Sequence, residues 1–134
     1  MRSWFILFLT VTTVSATAFT SKEELATAID NCLVVDNTGQ ACCNKADCGV
    51  ADNAEMKSWD VSQVTDMSEL FKGKSDFNAS IGAWDTSQVT TMAAMFSGAS
   101  SFNQPLDWDT SKVTNMRSMF QDARAFNQPL TFDT

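Results

Sequence analysis

The sequence predicts an α/β repeat fold. It is a leucine-rich-repeat-like solenoid of about three 24–25-residue coils, each a short strand plus a short helix, behind an N-terminal helical, disulfide-tied cap. Three observations predict it. Trp59, Trp84, Trp108 and Phe132 stand 25, 24 and 24 residues apart. A separate amphipathic segment with a helix-capping signature precedes them. Cys32, Cys42, Cys43 and Cys48, an even number, lie within that segment and between it and the first repeat.

Residues 1–18 read as a secretory signal peptide. Arg2 supplies the positive charge, WFILFLTVTTV the apolar run, and Ala16-Thr17-Ala18 the small-residue cleavage site. The run is too short to span a bilayer, and no second one follows. The predicted location is secreted, extracellular or at the cell surface.

Residues 19–56 read as the cap. Ser21-Lys22-Glu23-Glu24 is an S-x-x-E capping box, and Leu25, Ile29, Cys32 and Leu33 share one helical face. Repeat arrays need such an atypical terminal unit to cover the first apolar edge. Four cysteines in a secreted chain predict two disulfides. Bonding the adjacent Cys42 and Cys43 strains the backbone, which leaves 32–42 with 43–48, or 32–43 with 42–48. A zinc site is disfavoured, because the chain has no C-x-x-C and no histidine.

Residues 57–134 read as the repeats. Residues keep step with the tryptophans in columns: Val64, Val89, Val113; Met67, Met92, Met116; Leu70, Met95, Met119; Phe71, Phe96, Phe120; Phe77, Phe102, Phe126; and Ile81, Leu106, Leu130. These columns are the predicted core. In each unit the Val-Thr pair suits a short strand. Asp66, Thr91 or Asn115 then reads as a helix N-cap, with apolar residues following at helical spacing. The array stops two residues into a new coil, which predicts either a truncated array or an end that pairs with another chain.

The unit WDTSKVTNMRSMFQDARAFNQPL resembles the repeat of the BspA-like leucine-rich-repeat surface proteins, W-D-[TV]-S-x-V-T-x-M-x-x-M-F-x-x-A-x-x-F-N-Q-P-L. The resemblance covers residues 56–134. The first unit departs from it: Lys74 replaces alanine, Ala79-Ser80 replace Gln-Pro, and one residue is added. The resemblance implies secretion or surface display, a leucine-rich-repeat-like solenoid, and adhesion or protein binding. It brings no catalytic residues.

Four rows of polar residues remain. Asp60, Asp85, Asp109 and Asp133 read as Asx turns rather than a calcium site, because calcium needs six or more oxygens. Asn78, Asn103 and Asn127 read as a buried ladder. Asn78 also opens the one N-glycosylation sequon, Asn-Ala-Ser, and a buried ladder asparagine and a glycan acceptor are competing expectations there. Thr65, Thr90, Thr114 and Thr86, Thr110, Thr134 form two threonine rows, which suit turn bonding or, as a lesser alternative, ice binding.

Net charge is −7, with no basic cluster, which argues against nucleic acid and anionic lipid as partners. The chain has no histidine, no phosphate-binding glycine loop and no G-x-S-x-G. No catalytic residue, metal site or cofactor is predicted. The expected function is binding or adhesion through the solenoid surface, to a protein or glycan, with end-to-end self-association at an open last coil. A structural coat or matrix module is the alternative, followed by an enzyme and then ice binding.

Overall fold

The computed structural model of the protein describes residues 17–42, 47–52 and 54–132. The expected leader, apart from Thr17 and Ala18, lies outside these residues, as do Cys43 and Asp133.

Helix α1 runs Lys22–Val35. Ser21 caps it by accepting the Glu24 N–H, 3.2 Å. The Glu24 carboxylate reaches back one residue further than a capping box requires, to the N–H and hydroxyl of Thr20, both at 2.9 Å. Leu25, Ala28, Ile29 and Cys32 are buried at spacings of one helical face, and Leu33 is only half-buried. The helix stops at Asp36, whose carboxylate takes Thr38 N–H, the Thr38 hydroxyl and Ala41 N–H in place of the next helical turn. Cys32 is bonded to Cys42, closing a separation of 10 residues. Of the two expected connectivities this is the first bond of the 32–42 alternative. Cys48 is also disulfide-bonded.

The strand-plus-helix solenoid is not what the repeats form. Among the described residues, the regular elements are α1 and two short 3₁₀ turns, Gly49–Ala51 and Met56–Ser58. These residues form no sheet, only the isolated parallel bridges Asp66↔Thr91 and Thr91↔Asn115. The predicted helices fail for a backbone reason. Glu69, Ala94 and Ser118 take φ of +62°, +53° and +58°, a left-handed conformation that ends any helix begun at Asp66, Thr91 or Asn115. Those three side chains instead accept the N–H two residues on, as Asx and Ser/Thr turns do.

What replaces helix and strand is a division of backbone hydrogen bonds. In the second repeat the N–H groups of Met92, Ala94, Phe96 and Gly98 donate to the carbonyls of Asn115, Arg117, Met119 and Gln121 in the third, at 2.7–2.9 Å. The intervening N–H groups of Met95, Ser97 and Ala99 turn inward, to the carbonyls of Met92, Ala94 and Phe96. Met67, Glu69, Phe71 and Gly73 donate in the same way to the second repeat. An α-helix would spend every N–H on its own i−4 carbonyl and leave none for the neighbour. The Val-Thr segment contributes one bond per junction, Thr90 N–H to Thr65 O and Thr114 N–H to Thr90 O, too little to make a strand.

The apolar columns meet inside this stack and share one core with Phe19 and α1. Phe71, Phe96 and Phe120 lie ring on ring at 5.4 and 5.5 Å; Phe77, Phe102 and Phe126 follow at 5.5 and 5.8 Å. Such contacts add about 0.5–1.5 kcal/mol each beyond area burial. The indole N–H of Trp84 donates to Met56 O, the last residue of the cap, and that of Trp108 to Ile81 O, at the end of the first repeat, so each of these tryptophans reaches past the repeat before its own.

Candidate functional site

The predicted residues fall into a buried set and an outward set. Trp59, Trp84, Trp108, Val64, Val89, Met67, Met92, Phe71, Phe96, Phe77 and Phe102 are buried. In the third repeat Val113, Met116, Phe120 and Phe126 are only partly buried against the core.

Asp60, Asp85 and Asp109 stand exposed on one flank, in successive repeats. Each accepts the N–H of the serine two residues on: Ser62 at 3.1 Å, Ser87 at 3.0 Å and Ser111 at 2.9 Å. The Ser87 hydroxyl and N–H hold the Asp85 carboxyl below its ordinary value, while burial and the charge of Asp109 push the other way. Ser111 lowers Asp109 likewise, with help from Lys112. The row is a set of Asx turns. Among the described residues no group of three or more His, Cys, Asp or Glu side chains is placed to hold a metal.

The two threonine rows differ. Thr65, Thr90 and Thr114 are exposed, and the hydroxyls of Thr90 and Thr114 donate to the carbonyl of the threonine before, at 3.1 and 3.2 Å. Thr86 and Thr110 are buried, at 1% and 2% exposure, with the Thr86 hydroxyl on Asp109 O at 3.0 Å. A buried row cannot meet ice, which removes half of the regular face that ice binding requires. Val61, fully buried at the same place in the first repeat, was the available signal that this column points inward.

The asparagines form a ladder through their oxygens. Asn78 Oδ1 accepts Asn103 N–H at 2.9 Å and Gln104 Nε2 at 3.1 Å; Asn103 Oδ1 accepts Asn127 N–H at 2.9 Å and Gln128 Nε2 at 3.0 Å. The glutamines of the F-N-Q-P-L segments are part of this ladder, a role the sequence did not suggest. The asparagines are not fully buried: Asn78 and Asn103 are half-buried and Asn127 is exposed.

The two edges of the stack are unlike. Helix α1 lies along the first repeat, with Lys22 Nζ on Ser68 Oγ at 2.7 Å and Lys74 Nζ on Asp30 Oδ1 at 2.6 Å. At the third repeat the N–H groups of Met116, Ser118, Phe120 and Asp122 donate to no described residue. Leu130 beside them is 43% exposed. Burial pushes the Asp66 carboxyl up, but the Ser68 hydrogen bonds and the Lys22 charge outweigh it and hold it below its ordinary value. A cleft of about 180 Å³ opens where the N-terminal segment meets the repeats, lined by Gly39, Gln40, Glu55, Lys57, Asn78 and Ser80 among others. No helix among the described residues is long and apolar enough to cross a membrane.

No curated protein and no solved structure shows significant similarity to the chain. Residues 42–134, more than half of the sequence and all three repeats, match the family described as "Mycoplasma protein of unknown function, DUF285", and the chain belongs to that family.

Proposed function

We propose that this chain is a secreted or surface-displayed repeat module that binds another macromolecule, a protein or a glycan, through the outward faces of its stacked repeats, and that it carries out no catalysis. The family match is consistent with the BspA-like resemblance of the W-D-T-S-x-V-T units, and that resemblance supports display at a surface. The Cys32–Cys42 disulfide supports an oxidising compartment.

One observation carries the reading. Outside the core, successive repeats present the same groups in register, an Asp–Ser pair and a threonine each time, held by backbone hydrogen bonds rather than by loose side chains. A surface ordered before binding loses less conformational freedom on binding. Repeated groups also suit a partner that is itself extended or repetitive. The test is binding to an array of immobilised glycans and extracellular matrix proteins. The wild type is compared with a chain carrying Asp60→Asn, Asp85→Asn and Asp109→Asn together. Binding that falls at least tenfold in the triple variant supports the reading. Equal binding by both chains excludes the aspartate row as the contact, and binding by neither favours a structural coat or matrix module.

A second reading, end-to-end association, is favoured by the edge of the third repeat, where four N–H groups donate to no described residue and Met116, Phe120 and Phe126 are half-buried. Sedimentation should then show mass rising with concentration for the wild type and a monomer for Phe120→Asp. A wild type that stays monomeric at high concentration excludes it.

A further inference from the structure

The ladder and the glycan were competing expectations at Asn78; the geometry removes the competition. Every ladder bond at this residue uses Oδ1, which accepts from Asn103 N–H and Gln104 Nε2. Two donors on one atom fix which end of the amide is oxygen. Nδ2 donates to no described residue. No buried side-chain nitrogen or oxygen among the described residues lacks a partner, and Asn78 is half-buried, so this unpartnered Nδ2 reaches solvent. Asn78 and exposed Ser80 both line the cleft of about 180 Å³.

The departures of the first repeat sharpen the point. Ala79 has a packing reason: it is buried beneath the loop at Gly39, where even an added Cβ would stand 3.2 Å from Ala79 and 3.0 Å from the Phe77 ring. A glutamine does not fit there. Ser80 has no such reason. It is exposed and makes no hydrogen bond to a described residue, yet it replaces the proline that closes the equivalent positions 105 and 129 to this chemistry.

The geometry points to Asn78 as an N-glycosylation site that keeps its place in the ladder while modified. The co-reactant is an oligosaccharide carried on a polyprenyl pyrophosphate. Nδ2 bonds to C1 of its first sugar and gives up one proton; the C1–O bond breaks, and the pyrophosphate leaves with the electron pair. The side chain remains an amide, so Oδ1 stays a carbonyl acceptor for Asn103 and Gln104. The inference rests on the secretory reading above.

The test is expression of the full chain in a eukaryotic secretory host, once with its own first residues and once behind a proven leader. Secreted material is treated with an amide-cleaving N-glycosidase in heavy-oxygen water, and the label is located by peptide mass spectrometry. Label at position 78 in most secreted molecules is expected. Ser80→Ala should abolish it and leave the urea midpoint of the enzyme-free, unglycosylated chain where the wild type's lies. Asn78→Ala should also abolish it but lower the midpoint, since the ladder acceptor is lost. Unmodified Asn78 in folded chain secreted behind the proven leader overturns the inference. Failure of export only with the native first residues counts against the secretory reading and leaves the Asn78 result to be read from the other arm. Modified chain whose midpoint falls as far as that of Asn78→Ala overturns the claim that ladder and glycan coexist.

Discussion

The second and third repeats have nearly the same sequence and different burial. Met92, Phe96 and Phe102 are 0% exposed, whereas Met116, Phe120 and Phe126 are half-buried. The second repeat has a neighbour on each side, and the described part of the third has one. Burial in this molecule is therefore a property of the junction and not of the unit, as expected where each repeat touches only its neighbours. The first repeat is the instructive middle case. It has one repeat neighbour, but α1 and Phe19 supply the other side, and Met67, Phe71 and Phe77 are 0% exposed.

The sharpest way to break the comparison is the pair Phe96→Ala and Phe120→Ala. Phe96 packs against four rings, those of Phe71, Phe102, Trp108 and Phe120, and its loss should cost about 3–5 kcal/mol. Phe120 should cost about half that or less, because part of its ring is already wet. Equal urea midpoints for the two variants would mean that burial is set within the unit.

Thr86→Val tests the buried threonine. Its methyl face fits, since Val61 fills the same place in the first repeat, so the loss is that of one hydrogen bond to Asp109 O. That should cost about 1 kcal/mol. A gain in stability would show that the hydroxyl is a burden on the second repeat.

Ala94→Gly should stabilise by about 0.5–1 kcal/mol, because glycine relieves a left-handed alanine and the relief exceeds the entropy it restores to the unfolded chain. Ala99→Gly, a buried alanine at which no positive φ occurs, should destabilise by about 1 kcal/mol. The same sign for both would deny that backbone strain sits in the Glu69, Ala94, Ser118 column.

The smallest effect is on pH. Asp85 and Asp109 are held below an ordinary value of 3.8 in the folded chain. A lowered folded value means that their contribution is fully present above 3.8 and is lost as pH falls through the still lower folded values. Both groups are exposed, so the urea midpoint should dip only slightly in that acid window. Asp85→Asn should flatten the dip; an unchanged dip would assign it to other carboxyls, Asp36 and Asp66 first.

Vertical register was readable from the sequence because side-chain identity recurs every 24 or 25 residues, and ring columns need only that period. The helix at Lys22–Val35 was readable because Ser21 and Glu24 carry a local signal. The path of the chain between columns was not. Met67, Leu70 and Phe71 stand at i, i+3 and i+4, which a helix and this chain of turns both place on one side. Left-handed backbone is usually betrayed by glycine, and Glu69, Ala94 and Ser118 are not glycine. The hint lay four residues on, where Gly73 and Gly98 share a column with Asp122, and all three have positive φ. The outward polar rows were visible as rows. Whether a row faced in or out depended on single positions such as Val61 beside Thr86.

The backbone bonds between repeats carry a reading direction. Along the arc from Met67 to Gly73 the earlier repeat gives and the later one receives; at Thr65, Ser75 and Asn78 the roles are reversed. The edge of the third repeat thus spells a fixed word: acceptors at Thr114 O, Arg124 O and Asn127 Oδ1, with four donors between the first two. Turned end for end, that word does not match itself, because donors then face donors. Only a parallel unit in the same register can answer it at every letter. Whatever mates with this edge must therefore be a surface unlike it, with carbonyls set opposite Met116 to Asp122 and donors opposite Thr114, Arg124 and Asn127.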